Sequence, residues 1–314
     1  MAYTNTDTNM TTSSALSAGM QTYYNRELLR TFEPNLVHLQ FGDEHRMPPH
    51  SGLVMNMRKL IPLETNTKAL SEGDPGESVM LAETEVTVQL QQYGEYARCT
   101  DKLDLTHLDM DIMRRTKLFG DAGARSIDAV VREELAKCPN VIYAGGKASR
   151  AELTAADKLT SRELRKAVKT LKKNHAQTFG GYFVAIIGPD TMYDLQEDEA
   201  FVKVSQYQDK ENIYTGEVGR LFGVRLVETT EAKIFEGAGA SGADVASVIV
   251  LGQYAYGVTS LKGAKPRVIV KPAGSAGTAD PLDQISTVGW KMDGFGAKLL
   301  QPEYAVRIEC GFSA

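Results

Sequence analysis

From Ser51 to Thr100 the chain reads as extended ribbon without a core of its own, and such a ribbon has to lie against something else. Leu53, Met55 and Met57 alternate with Val54, Asn56 and Arg58, and Val86, Val88 and Leu90 alternate with Glu85, Thr87, Gln89 and Gln91. This period of two is the mark of a half-buried strand. Between the runs comes Ser71-Glu72-Gly73-Asp74-Pro75-Gly76-Glu77, where glycine supplies positive φ and proline fixes φ, so the chain reverses there. Two strands and a tip make a hairpin arm. A lone two-stranded hairpin is marginal in water, so this one is expected to rest on another surface, such as a neighbouring copy.

The rest of the chain has the means to build a body. At 314 residues and 42% hydrophobic it is long enough for one large or two ordinary domains with a real core. A net charge of −5 argues against an electrostatic nucleic-acid binder as a whole, while leaving weak contact open. Met1 to Gly19 is rich in Thr, Ser, Asn and Ala without a basic start or apolar block, so it reads as an arm rather than a secretory signal. No apolar run approaches the ~20 residues of a membrane helix, and no membrane partner is expected. Cys99, Cys138 and Cys310 are odd in number and far apart, giving neither a disulfide framework nor a zinc pattern; a reducing compartment fits. Cys310 continues the alternation Val306, Ile308, Cys310 and reads as a small buried hydrophobe in a strand.

After the ribbon, Leu108, Ile112, Phe119, Ile127, Val130 and Val131 recur near the helical period. They predict a long helix from Thr106 to Lys137, about 45 Å in length and ended by Pro139. Gly120 and Gly123 mark the place where it would kink. From Thr160 helix and strand alternate. Thr160 and Glu163 form a capping box for a helix with Leu164, Val168 and Leu171 on one face. Tyr182–Ile187 is an apolar strand, and Pro189 opens a helix through Met192, Leu195 and Phe201. Val224–Val227 and Val245–Leu251 are further strands of a compact α/β lobe. The last fifty residues return to strands: Arg267–Lys271, a pair around Gly294 within Gln284–Leu300, and Tyr304–Cys310. The fold class is α+β.

Few constellations carry chemistry. Gly237-Ala238-Gly239-Ala240-Ser241-Gly242 spells a dinucleotide fingerprint, but the strand before it is weak, no long helix follows, and no acidic residue stands about 20 positions on to hold a ribose. It reads as a surface loop. Arg162, Arg165, Lys166, Lys169, Lys172 and Lys173 make a basic stripe opposite the apolar face of their helix. A solvated face is favoured for the stripe, with contact to acidic neighbours or nucleic acid as the alternatives; without interleaved aromatics, base stacking is not expected. His38, His45 and His50 are spaced by seven and five residues, which fits no metal-ligand pattern, and His107 and His175 stand alone. No serine or cysteine sits in a nucleophile motif. No catalytic, cofactor or metal residue is assigned, and the chain is read as not an enzyme.

The ribbon is acidic, with Glu64, Glu72, Asp74, Glu77, Glu83 and Glu85 against Arg58, Lys59 and Lys68. A solvated face is one reading. The sharper one seats Glu72, Asp74 and Glu77 at the tip on Arg114, Arg115 and Lys117 of a neighbour's long helix. Ion pairs at such a rim set register more than they drive association.

The order of elements, with Leu70-Ser71-Glu72-Gly73, Thr100-Asp101-Lys102-Leu103, Gly252-Gln253-Tyr254-Ala255-Tyr256-Gly257, Asp280-Pro281-Leu282-Asp283-Gln284 and Gly289-Trp290-Lys291, resembles the major capsid proteins of tailed bacteriophages with the HK97-like fold. It is most similar to the group typified by the phage N4 major capsid protein, and Ala297 to Ile308 follows the same pattern. The resemblance spans nearly the whole chain. It implies an N-terminal arm (1–45), an extended hairpin loop (46–100), a peripheral β domain with the spine helix (101–159), an α/β axial domain (160–262) and closing strands of the peripheral domain (263–314). It implies hexamers and pentamers closing into an icosahedral shell around double-stranded DNA, assembled in the host cytoplasm and carried in the virion. Expected partners are further copies of the chain, a separate scaffolding protein, a portal protein and weakly contacted packaged DNA. No cofactor is implied. Lys68 near the tip is available for the covalent cross-link some members form, but no matching motif accompanies it. A protein nanocompartment of the same fold is the nearest alternative, and an α/β enzyme a more distant one.

Overall fold

A computed structural model of the chain describes residues 36–48, 50–60, 67, 69, 78, 80, 81, 83–102, 112–198, 201, 220–261, 265–275 and 280–313. In chain order its elements are β1 (Asp43–Met47), β2 (Val54–Leu60), β3 (Glu83–Gln89), β4 (Gln91–Thr100), α1 (Ile112–Leu135), β5 (Val141–Tyr143), α2 (Ser161–Lys173), β6 (Phe183–Ile187), α3 (Pro189–Gln196), β7 (Arg220–Leu221), β8 (Val224–Glu228), β9 (Ile234–Phe235), β10 (Val245–Leu251), β11 (Tyr256–Leu261), β12 (Arg267–Lys271), β13 (Ile285–Leu299) and β14 (Ala305–Cys310).

These strands form two sheets and a hairpin. One sheet runs β1-β11-β13-β12, with β4 also paired to β13; the other runs β5-β14-β10-β6-β8-β7, with β9 on β10; β2 and β3 pair with each other. The second sheet is the centre of the molecule. Every residue of β6, β10 and β14 is buried, as expected of strands covered on both faces. Because successive side chains point to opposite faces, Phe183, Ala185, Ile187, Val248 and Val250 join a core under α2 and α3. Their alternates Val184, Ile186, Ile249 and Leu251 join a second core with α1 and the first sheet.

The long helix α1 lays Ala124, Ile127, Val131 and Leu135 on that second core beside Tyr256, Trp290, Met292 and Phe295. Its 24 residues span about 36 Å, and residues 106–111 of the expected helix lie outside the described ones. The helix is unbroken at Gly120 and Gly123. Both glycines are on the buried face.

Four further expectations are corrected. Gln284–Leu300 is one strand rather than a pair: Gly294, at φ 70°, shifts the register between Met292 and Phe295 as a bulge and does not turn the chain back. The helix after Pro189 stops at Gln196, short of Phe201. The Thr160 hydroxyl does not cap α2 by accepting from a backbone N–H; it donates to the Glu163 carboxylate, and the first turn is capped from afar by Asp198 Oδ2, which accepts from Ser161 N–H at 2.8 Å and Ser161 Oγ at 2.6 Å. Finally, the closing strand β14, expected with the peripheral strands, pairs with β10 and β5 in the α/β sheet. Val306, Ile308 and Cys310 enter the core on one face, while on the other Glu309 is buried against Arg150 and Arg307, so both faces are covered as in a central strand.

Candidate intersubunit surfaces

The hairpin predicted from the ribbon is formed, with Val54 opposite Gln89 and Leu60 opposite Glu83. Its tip, including Glu72, Asp74 and Glu77, lies outside the described residues. The two faces of the hairpin differ sharply. On the inner face Met57 and Val88 are buried against glycines of the first sheet. A Cβ on Gly257 would meet Met57 Sδ at 2.7 Å, and one on Gly296 would meet Val88 Cγ1 at 2.9 Å. Against the expectation of a ribbon without a core, part of its alternation is satisfied within its own chain. On the outer face Val54, Asn56, Arg58, Glu83, Glu85, Thr87 and Gln89 are all exposed, and Leu53, Met80 and Leu81 nearby are exposed apolar side chains. Lys59 shares the inner face and reaches across to Glu303 at 2.8 Å. The Lys59 ammonium holds the Glu303 carboxyl below its ordinary pKa, against a smaller opposing effect of burial.

Of the basic partners expected for the tip, Lys117 is exposed on α1 beside the exposed Leu118. Arg114 and Arg115 fall in the first turn of α1, with side chains outside the described residues. The expected basic stripe is present: Arg162, Arg165, Lys169, Lys172 and Lys173 are exposed on α2, while Lys166 stands 3.6 Å from Glu163.

A second surface went unread in the sequence. On the face of the first sheet turned away from α1, Ile269, Gly289 and Tyr96 lie side by side across β12, β13 and β4, followed by Lys271, Thr287 and Arg98. They line a groove of about 640 Å³. Its floor is low because Gly289 has no side chain; a Cβ there would meet Glu95 O at 2.6 Å and Tyr96 Cβ at 2.7 Å. Arg98 leans over the Tyr96 ring at 5.7 Å, and Arg267 and Lys291 pair with Asp293 at 3.0 and 2.7 Å. The alternation Arg267, Ile269, Lys271 was visible, but only the sheet pairing reveals which residues flank it.

Behind these surfaces, buried charges fix the body. His38 donates its backbone N–H to Asp128 Oδ1 at 2.7 Å and its ring Nδ1 proton to Oδ2 at 2.6 Å, and its carbonyl accepts from the Tyr256 hydroxyl. Burial, and secondarily the Asp128 charge, pushes the Tyr256 pKa up, so that hydroxyl stays a donor. Glu309, fully buried, takes two hydrogen bonds from Arg150 at 2.6 and 2.7 Å. Arg307 Nε approaches the same carboxylate at 2.9 Å without hydrogen-bond alignment, and Arg150 stacks 3.6 Å over Phe235. The Cys310 thiol is pushed up to about 12 by burial and by the Asp194, Glu163 and Glu309 charges, which leaves it an unreactive packing group. The glycine run at 237–242 forms a turn between β9 and β10, as expected of a loop. Among the described residues, no three His, Cys, Asp or Glu side chains are grouped to hold a metal, and no helix is long and apolar enough to cross a membrane.

The family model described as phage capsid protein matches residues 83–308. Among solved structures, the capsid of Ralstonia phage GP4 aligns with a TM-score of 0.68 at 14% identity, covering 87% of this chain and 88% of that one. The cyanophage Pam1 capsid aligns at 0.65 and 16% identity, covering 100% and 98%. A virus-like particle from Pyrococcus furiosus aligns at 0.54 and 13% identity, covering 92% and 99%. A comparison with curated proteins returned no match.

Proposed function

Because the chain belongs to the phage capsid protein family, we propose that it is the major capsid protein of a tailed phage, with the HK97-like fold and nearest to the group typified by the phage N4 protein. Copies associate with one another and build the icosahedral shell of the virion. The observation that carries this reading is the extent of the family match, which runs from β3 into β14 and takes in strands of both sheets.

In this reading hexamers and pentamers are the capsomers. The first sheet with α1 serves as the peripheral domain, the seven-stranded sheet with α2 and α3 as the axial domain, and β2–β3 as the extended loop that reaches a neighbour. The expected bounds of 1–45 for the arm, 46–100 for the loop, and 101–159, 160–262 and 263–314 for the domains are redrawn so that β1, β4 and β11 go with the peripheral sheet and β5 and β14 with the axial lobe they pair in. The acidic tip residues Glu72, Asp74 and Glu77 seat on Arg114, Arg115 and Lys117 of the adjoining copy. A separate scaffolding protein directs assembly, a portal occupies one vertex, and double-stranded DNA is held without tight binding. The net charge of −5 supports that last point, since few neutralised phosphates mean weak, salt-sensitive contact and DNA free to leave again.

Electron microscopy of the expressed chain, alone and with the products of neighbouring genes, tests the proposal. Uniform spherical shells that take up DNA are expected. A small monodisperse oligomer in every combination overturns it, and shells filled with protein and free of nucleic acid decide for a nanocompartment instead.

A further inference from the structure

The hairpin β2–β3 is attached to the body by two contacts of opposite character. One is a dry seat: Met57 and Val88, 5% and 2% exposed, fill hollows over Gly257 and Gly296 that no larger residue would leave open. The other stands two residues further toward the tip, where Lys59 Nζ meets Glu303 Oε2 at 2.8 Å. Around this pair is a crevice of about 630 Å³ between the hairpin and the body, lined by Lys59, Thr84, Val86, Asn174, Glu303 and Tyr304 among others. Among the described residues no other ion pair joins the hairpin to the body. Glu303, by contrast, is carried on a turn that is itself braced. Asn140 Nδ2 donates to Pro302 O at 2.7 Å and Asn174 Nδ2 donates to Glu303 O at 2.9 Å, tying the turn to the segments that follow α1 and α2.

We propose that the Lys59–Glu303 pair is a releasable stop that sets the angle at which the hairpin leaves the body, with Met57 and Val88 as the seat on which it turns when the pair opens. The two contacts divide the work by strength. An ion pair whose carboxylate is open to water, Glu303 being 56% exposed and Lys59 17%, is weak and screened by salt, whereas apolar side chains in matched hollows are held by dispersion and by exclusion of water. Opening the pair therefore frees the hairpin without detaching it, and the crevice supplies the room to move. In a shell the same angle would decide where one copy touches the next, so the inference deepens the capsid reading. Its test needs only the chain, so a failure of shells to form and a failure of the stop are separate results.

The test is hydrogen exchange on the full-length chain, comparing peptides over 54–60 and 83–89 with peptides over 245–251. Lys59→Glu and Glu303→Lys, each alone, are expected to speed exchange in the hairpin about threefold, in keeping with the strength of a surface pair, and to leave the central strand unchanged. The double variant with the charges swapped is expected to return the hairpin to the wild-type rate. The proposal is overturned if either reversal leaves hairpin exchange unchanged, if the swap exchanges as fast as the single variants, or if the central strand speeds up with the hairpin.

Discussion

At the scale of the residue, His38 is gripped at three atoms: its N–H and ring by Asp128, its carbonyl by Tyr256. Removing the carboxylate would leave two buried donors without an acceptor, and breaking a buried pair by deleting one partner costs ~3–5 kcal/mol. Asp128→Ala is therefore expected to lower the unfolding free energy by an amount in that range, seen as a lower urea midpoint at unchanged slope, and Asp128→Asn, which keeps one acceptor oxygen, by clearly less. A slope change would mean that the denatured state or the cooperativity had altered instead. Nothing in the sequence announces this clamp, because the partners are 90 and 218 positions apart and a lone histidine looks the same on a surface as in a core. The Glu303 carboxyl carries a second prediction. Its folded pKa lies below the ordinary 4.5, so its contribution is complete above that value and is lost as pH falls through the lower, folded one. Lys59 is the charged group that faces it. Hairpin exchange, corrected for intrinsic chemistry, should rise relative to the central strand as the pH is taken down through the lowered pKa of this carboxyl, and Glu303→Gln should abolish that dependence.

At the scale of the element, the groove beside Gly289 depends on one absent side chain. Gly289→Ala places a methyl against the backbone of β4, and overpacking of this kind costs ~1–3 kcal/mol. The expected outcome is local: faster exchange across 91–100 with the central sheet unaffected, while equal loss everywhere would show that β4 is not a separable edge. How much of the elements could be read in advance follows from what each one needs. Val245–Leu251 and Arg267–Lys271 were read to the residue, since a short apolar or alternating run bounded by turn formers has few other uses. Tyr256–Leu261 was not read as a strand, because Gly257 interrupts its pattern; the glycine is there to receive Met57. The place of β14 was misread for a related reason: strand character is local, but sheet membership is decided by partners distant in the chain. The kink expected at Gly120 and Gly123 did not appear, because packing against the sheet outweighed a propensity of about 1 kcal/mol per residue.

At the scale of the whole molecule, the acidic tip makes the assembly testable. Reversing Glu72 and Glu77 to Lys is expected to impair particle formation, most strongly at low salt where unscreened repulsion reaches furthest; particles of normal yield and form across the salt range would remove the tip from the contact. The six residues proposed for that contact are legible only as charge in a sequence, because their geometry belongs to pairs of copies and a single chain contains half of it. One feature of the single chain bears directly on how such a wall behaves. Strands β6 and β10 send alternate side chains into two cores, so the halves of the molecule share their central sheet and have no seam between them. Tension applied to one half passes to the other as shear along hydrogen-bonded strands, a direction in which many bonds must yield together. A tile built this way has no hinge line through its centre, and the adjustment that a closed shell asks of its copies falls to the parts that project from its edges.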